Sequence, residues 1–220
     1  MMKVYGTVAS PHVGRIVLVA RHKKLDLTVE WPAGGLKSAA YLAINPLGLM
    51  PAFEHDGQTF IESEVICEYL EDLFPTPTIL PGNAAARARV RTVSRVVDLY
   101  FWPDVNALFH QFFDPTWLDA AAFEACKVRL AARYTILDGL MTAGGPWAAG
   151  EFSLADCTLL PRVLMMQKSV VPKFGIPDLA QGGPNLKAWW RQVNASPLTS
   201  SFIPECHASM DAYIAMAKHG

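Results

Sequence analysis

An α/β domain followed by an all-helical one is the fold class that this sequence of 220 residues predicts. Three observations carry it. Strand and helix patterns alternate through the first third, the proline-rich segment FPTPTILPGNAA then interrupts them, and beyond about Ala84 only helical spacing persists. At 51% hydrophobic the chain can bury a large core without disulfides, which excludes disorder as its main state.

Lys3 to Tyr5 is the first strand candidate. Pro11 then opens a helix whose Val13, Ile16, Val17 and Ala20 recur at i, i+3, i+4 and i+7, and Leu27, Val29 and Trp31 alternate as a half-buried strand does. A β-α-β start of this kind favours a parallel pair with a right-handed crossover. After the turn residues Asn45, Pro46 and Gly48, the segments 52–55 and 58–61 flank Asp56-Gly57, the two-residue chemistry of a type I′ hairpin. The segment SEVICEYLEDLFP puts Val65, Ile66, Tyr69, Leu70 and Leu73 on one helical face. These patterns divide the chain into a first domain over residues 1–76, a linker over 77–84 and a helical domain over 85–220, with breaks expected at Pro103, Pro115, Gly144-Gly145-Pro146 and between Pro172 and Pro184.

Charge excludes whole classes of partner. Lys and Arg number 19 against 20 Asp and Glu, and a net charge of −1 offers no long-range attraction to nucleic acid or to anionic membrane. Only 18% of the residues are charged, fewer than a typical soluble domain carries, which points to a surface covered by another subunit. Cys67, Cys126, Cys157 and Cys206 are widely spaced with no C-x-x-C, so a reducing cytosol is expected and no metal site. The start MMKVYGTVAS does not read as a secretory signal, and no apolar run approaches a membrane span. A cytoplasmic protein is expected.

Three short segments hold the chemistry, and a fourth serves folding. Ser10-Pro11 is a helix start, with Pro11 preorganised at the first helical position; Ser10 is either a plain N-cap or a hydroxyl placed to donate to a bound thiolate at the positive end of the helix. His12 and Arg15 follow on the same helix. Met50-Pro51 is either an edge-strand element or a cis-proline that leaves the preceding backbone free to pair with a peptide-like ligand. At Glu62-Ser63, Ser63 is suited as an N-cap whose first turn attracts a carboxylate, and a carboxylate at Glu62 suits a ligand that also bears an ammonium group. In Phe152-Ser153-Leu154-Ala155-Asp156 the pattern is a capping box with Phe152 stapled onto Cys157, opening a helix, LADCTLLPRVLMM, that is apolar on nearly every side and so central to the second domain. Tyr100, Phe101, Trp102, Phe109, Phe112, Phe113 and Trp117, with Asp104 and His110 among them, either fill the helical core or line an apolar pocket against the first domain.

Together these segments resemble the cytosolic glutathione transferase family, serine-type and bacterial-like, over nearly the whole chain. YGTVASPHVGR looks like the family's first strand, catalytic loop and helix; NPLGLMPAF like its cis-proline segment; IESEVICEYLEDLFP like its Glu-Ser glutathione motif; and GEFSLADCTLLP like its buried capping-box helix. The resemblance implies a thioredoxin-like β-α-β-α-β-β-α domain followed by a helical one, a homodimer, and glutathione as co-substrate. It implies that Ser10 steadies the glutathione thiolate, that Met50 beside cis-Pro51 offers its backbone to the cysteinyl part, and that Glu62 and Ser63 hold the γ-glutamyl end. Asp98 resembles an acidic residue that reaches toward the neighbouring subunit's glutathione. Thr7, Val8, His12, Trp102 and His110 would line the electrophile pocket. Many members carry Lys or Gln where this chain has Leu49; Lys37 is the substitute at the glycyl carboxylate.

The chemistry implied is that of the thiol. A free thiol titrates near pKa ~8.5 and only its thiolate is a good nucleophile. A hydroxyl hydrogen bond with a helix N-terminus supplies about 1–3 kcal/mol, or about one to two pKa units. The expected activity is attack of glutathione on an apolar or aromatic small electrophile. Two alternatives are a glutathione-fold binding or assembly protein without strong catalysis, and, within the family, a glutathione-dependent ether-cleaving enzyme.

Overall fold

The computed structural model describes residues 1–142 and 145–219, so Gly144 of the expected glycine turn lies outside the described residues. Alternation builds the first sheet. β1 (Met2–Tyr5) pairs in parallel with β2 (Leu27–Glu30) and antiparallel with β3 (Ala52–His55), which pairs antiparallel with β4 (Gln58–Ile61), giving the order β2-β1-β3-β4. Val4 and Phe53 lie opposite each other and point into the main core, while the next pair, Tyr5 and Ala52, points to the other face and packs on Tyr41. The β3–β4 turn is formed by Asp56 and Gly57, both at positive φ (50° and 77°), as a type I′ hairpin requires. Strand β2 stops at Glu30, and the expected inward residue Trp31 is exposed beyond its end.

Three helices complete this domain: α1 (Pro11–His22), α2 (Ala39–Ile44) and α3 (Ser63–Leu73). The expected face of α3 is corrected. Ile66 and Leu70 are buried, but Val65 and Leu73 are exposed and the inward positions are taken by Cys67 and Glu71. Glu71 faces inward because Lys23 Nζ donates to it at 2.7 Å, with Ile79 N–H donating at 2.9 Å; the same ammonium also donates to the carbonyls of Phe74 and Pro77. A buried pair thus clamps the connecting segment onto the first domain.

The second domain is helical: α4 (Ala84–Val96), a π-helical turn (Val97–Phe101), α5 (Trp102–Phe113), α6 (Ala120–Leu140), α7 (Leu154–Lys168), α8 (Val170–Phe174), a 3-10 turn (Leu179–Gln181), α9 (Pro184–Ala195), α10 (Pro197–Ser200) and α11 (Phe202–His219). Residues Leu154 to Met166 of α7 are all buried, as its all-round apolarity predicts. It packs on α1, where Gly14 leaves little room for a side chain: a Cβ there would meet Pro161 Cβ at 3.0 Å and Phe202 at 3.2 Å. This close crossing fixes the start of α1 against the second domain. Among the described residues no helix is long and apolar enough to cross a membrane.

Asp156 anchors the start of α7. One carboxylate oxygen accepts Ala148 N–H and Trp189 Nε1–H, each at 2.9 Å; the other accepts Ser153 N–H at 2.9 Å and the Ser153 hydroxyl at 3.0 Å. Burial pushes this carboxyl up to about 6 against the pull of those four donors. The ring of Phe152 lies against Trp147 and His22. Asp156→Ala would strand three buried N–H groups, each costing about 1–3 kcal/mol, so a loss of about 3 kcal/mol or more is expected in urea unfolding. A loss below about 1 kcal/mol would show that water or a neighbour replaces the carboxylate.

Candidate active site

The site forms where the N-termini of α1 and α3 meet the loop before β3. Ser10 is the N-cap of α1 by backbone geometry, its carbonyl accepting Gly14 N–H at 2.8 Å, yet its side chain makes no capping bond. Among the described residues the hydroxyl has no hydrogen-bond partner, and it stands at the positive end of a helix. Thr7, in the same loop, is engaged: its Oγ1 shares a 2.8 Å hydrogen bond with Ser209 Oγ on α11, and Ala9 N–H donates to that same Ser209 oxygen at 3.0 Å.

At α3 the expected capping is corrected. The N-cap is Glu62, at φ 70° and ψ 111°, and Ser63 is the first helical residue. A non-glycine residue at positive φ is a sparsely populated state, found where the surroundings force it and concentrated at ligand sites. The effect here is to turn the exposed Glu62 carboxylate, which has no protein partner among the described residues, toward the cleft. Ser63 Oγ is 3.4 Å from His12 Nδ1. The Met50-Pro51 peptide is cis, and the Leu49 carbonyl before it accepts both Tyr41 Oη–H and Asn45 Nδ2–H at 2.7 Å, so the loop is tied down from α2.

Two cavities open here. The more polar one, of about 420 Å³, is walled by Met50, Pro51, Glu62, Ser63, Asn45 and Leu36. An apolar one of about 250 Å³ lies toward the second domain, between Thr7, Phe109, Met165, Met210 and Tyr213. Ser10, His12, Leu49, Met50, Trp102, Asn106 and His110 belong to both walls. Val8, expected in the pocket, is packed in the core instead, and its carbonyl faces Cys206 Sγ. Lys37 is exposed with Nζ 3.5 Å from the Leu47 carbonyl, beside the Gly48 turn and outside both walls.

Below the site sits a buried charge cluster. Arg15 donates to Asp98 Oδ1 at 2.5 Å, and Arg162 of α7 donates to the same oxygen; both guanidinium groups are buried, and Asp98 is 14% exposed. Burial alone would raise the Asp98 carboxyl, but the charges of Arg162 and Arg15 outweigh it and hold it below its ordinary value. Burial, then the Arg15 charge, lowers Arg162 to about 9 against the attraction of Asp98. Arg162 lies over the Trp102 ring, 5.2 Å from its centroid, and Trp102 packs edge-on against His12 at 5.1 Å. Sequence reading missed Arg162, Asn106, Met210 and Tyr213. Asn106 had a signal, as a polar residue four positions from both Trp102 and His110 on one helix face; the others sit on helices brought in only by the tertiary fold.

Comparison with known proteins places the two domains. Residues 4–78 match the glutathione S-transferase N-terminal domain family and residues 100–197 the glutathione S-transferase C-terminal domain family. The chain is 29% identical over 207 residues to glutathione S-transferase 3 of Zea mays, covering 89% of this chain and 90% of that one. It is 34% identical over 130 residues to maleylpyruvate isomerase of a Ralstonia species, covering 56% and 61%. In structure it resembles glutathione transferase F7 of Populus trichocarpa, with a TM-score of 0.78, 24% identity, and 94% and 99% coverage. Sequence, domain order and fold thus agree, and the chain belongs to the glutathione S-transferase family, as an enzyme of that family.

Proposed function

We propose that this enzyme activates glutathione as a thiolate, through the Ser10 hydroxyl, for attack on an apolar or aromatic electrophile. One observation carries the reading: Ser10 stands on the wall common to the more polar and the apolar cavity, and its hydroxyl has no partner among the described residues. A sulfur held there meets a helix N-terminus on one side and an apolar substrate on the other. Glu62 takes the γ-glutamyl ammonium, the N–H groups of the α3 first turn take its carboxylate, and the Met50 backbone takes the cysteinyl part. Lys37 reaches the glycyl carboxylate by swinging from its place over Gly48. The test is retention on immobilised glutathione followed by conjugation of a generic aromatic electrophile. Retention without conjugation would favour a binding protein.

A maleyl substrate, as named for the Ralstonia relative, carries carboxylates that need cations. No Lys or Arg lines the apolar cavity among the described residues, and Arg15 and Arg162 are tied to Asp98, which favours a neutral electrophile. Cleavage of aromatic ethers remains within this reading, since it too delivers a thiolate to an apolar partner.

Glu62→Gln is expected to raise the KM for glutathione several-fold with kcat little changed, because the γ-glutamyl end is held equally in ground and transition states. Steady-state kinetics at varied glutathione decide this; a collapse of kcat at constant KM would contradict the assignment. The assembly proposed is a cytoplasmic homodimer formed on the faces of α3 and α4. Val65 on α3 and Leu99 and Tyr100 on the π-helical turn are exposed and apolar, which supports it. Sedimentation is expected to give about twice 24.1 kDa, and a monomer at micromolar concentration would refute it.

A further inference from the structure

Resting on the transferase reading above, we propose that His12 determines electrophile specificity: its Nε2–H donates to an oxygen acceptor on the substrate, and Arg162 is the positioning residue that fixes this tautomer.

The argument starts at Nδ1, which lies 3.4 Å from Ser63 Oγ and 3.5 Å from a terminal guanidinium nitrogen of Arg162. A guanidinium only donates, so Nδ1 is the acceptor and the ring proton sits on Nε2. Arg162 has no freedom to turn away. It is fully buried, donates to the Thr158 carbonyl at 2.6 Å and to Asp98, and lies over Trp102, whose ring closes on His12 from the side. Nε2 has no protein partner among the described residues, and His12 stands on the wall shared by both cavities, where sulfur and electrophile meet.

The charged groups facing the ring are Arg15 from its own helix, Arg162 from α7 and Asp98 from the π-helical turn. Burial first, then the two guanidinium charges, push the imidazole down to about 3, so it stays neutral throughout the working range. It is a permanent hydrogen-bond donor and does not transfer its proton. When the glutathione thiolate adds to an enone, the C–S bond forms at the β-carbon, the C=C π pair becomes the enolate double bond between the α-carbon and the carbonyl carbon, and the C=O π pair moves onto the oxygen; the α-carbon then takes a proton from water, leaving hydroxide. The His12 N–H donates to that oxygen as its charge grows. With a benzyl halide the C–S bond forms and the C–Cl bond breaks, chloride leaving with the electron pair; no oxygen gains charge, and His12 adds nothing.

Two probes separate the cases: 4-phenyl-3-buten-2-one and benzyl chloride. His12→Phe is expected to lower kcat/KM about tenfold on the enone and less than about twofold on the chloride, and His12→Gln, which keeps an N–H donor, to restore most of the enone rate. Long-range 1H–15N NMR should show the Nε2–H tautomer at His12 from about pH 5 to 8, with a mixture of tautomers in Arg162→Met. Equal losses on both probes, Gln no better than Phe, or an Nδ1–H ring would overturn the proposal while leaving the transferase reading intact. A wild-type enzyme that turns over neither probe and is not retained on glutathione would overturn both.

Discussion

Ser10→Ala is expected to raise the pH midpoint of kcat/KM by about one to two units, which cuts the thiolate fraction at pH 7 about eight- to twenty-five-fold, while Thr7→Ala leaves that midpoint unchanged. The two hydroxyls lie three residues apart, and the structure separates them by their commitments. Thr7 Oγ1 is already bonded to Ser209 Oγ, tying the loop before α1 to α11. Ser10 makes no capping bond although it occupies the N-cap position, so its proton is free for a sulfur arriving along the helix axis. The sign follows from what is removed. A donor to the thiolate lowers the thiol pKa, and without it the pKa returns toward ~8.5, so less thiolate is present at any pH below that. The midpoint is best read with several electrophiles, since Thr7 stands in the apolar wall and its loss should change their ranking. Movement of the midpoint in Thr7→Ala alone would transfer the role to Thr7. Movement in neither would leave the thiolate to backbone N–H groups or to His12.

Local chemistry was legible in the sequence where neighbours in the chain decide the outcome. Asp56-Gly57 makes its hairpin because both residues tolerate positive φ, and Ser10-Pro11 starts a helix because proline at its first position loses no hydrogen bond. Faces decided by remote partners were not legible. On α3 the inward place expected for Leu73 goes to Glu71, because Lys23, 48 residues away, carries the compensating charge. Ser63 reads as an N-cap by type, yet the positive φ of Glu62 moves the cap one residue earlier, and no local pattern announces a strained glutamate. Arg162 reads as the one cation in the apolar segment LADCTLLPRVLMM. Its purpose becomes visible only when Asp98, 64 residues earlier, is folded against it.

That cluster sets up the second large effect. Asp98→Asn is expected to cost about 3–5 kcal/mol of stability, because it leaves Arg15 and Arg162 buried side by side with no counter-charge. The carboxyl is held below its ordinary value in the folded state, so its stabilisation is present above the unfolded-state pKa and is lost as pH falls through the folded one. Wild-type stability should therefore decline below about pH 4, and part of that decline should be missing in the variant, which has no carboxylate to protonate. Removing a guanidinium as well, in Asp98→Asn with Arg162→Met, should recover part of the loss, since the remaining repulsion between the two cations is gone. The same variants decide what Asp98 does for glutathione. A carboxylate reaching across to the neighbouring subunit's ligand, as the family resemblance implies, would on removal raise the glutathione KM while denaturant midpoints barely move. A carboxylate that neutralises the floor of its own site gives the opposite pattern: a large fall in the midpoint, with KM in the surviving folded enzyme changed only as far as His12 and Trp102 shift. The position of Asp98 between two buried arginines favours the second outcome.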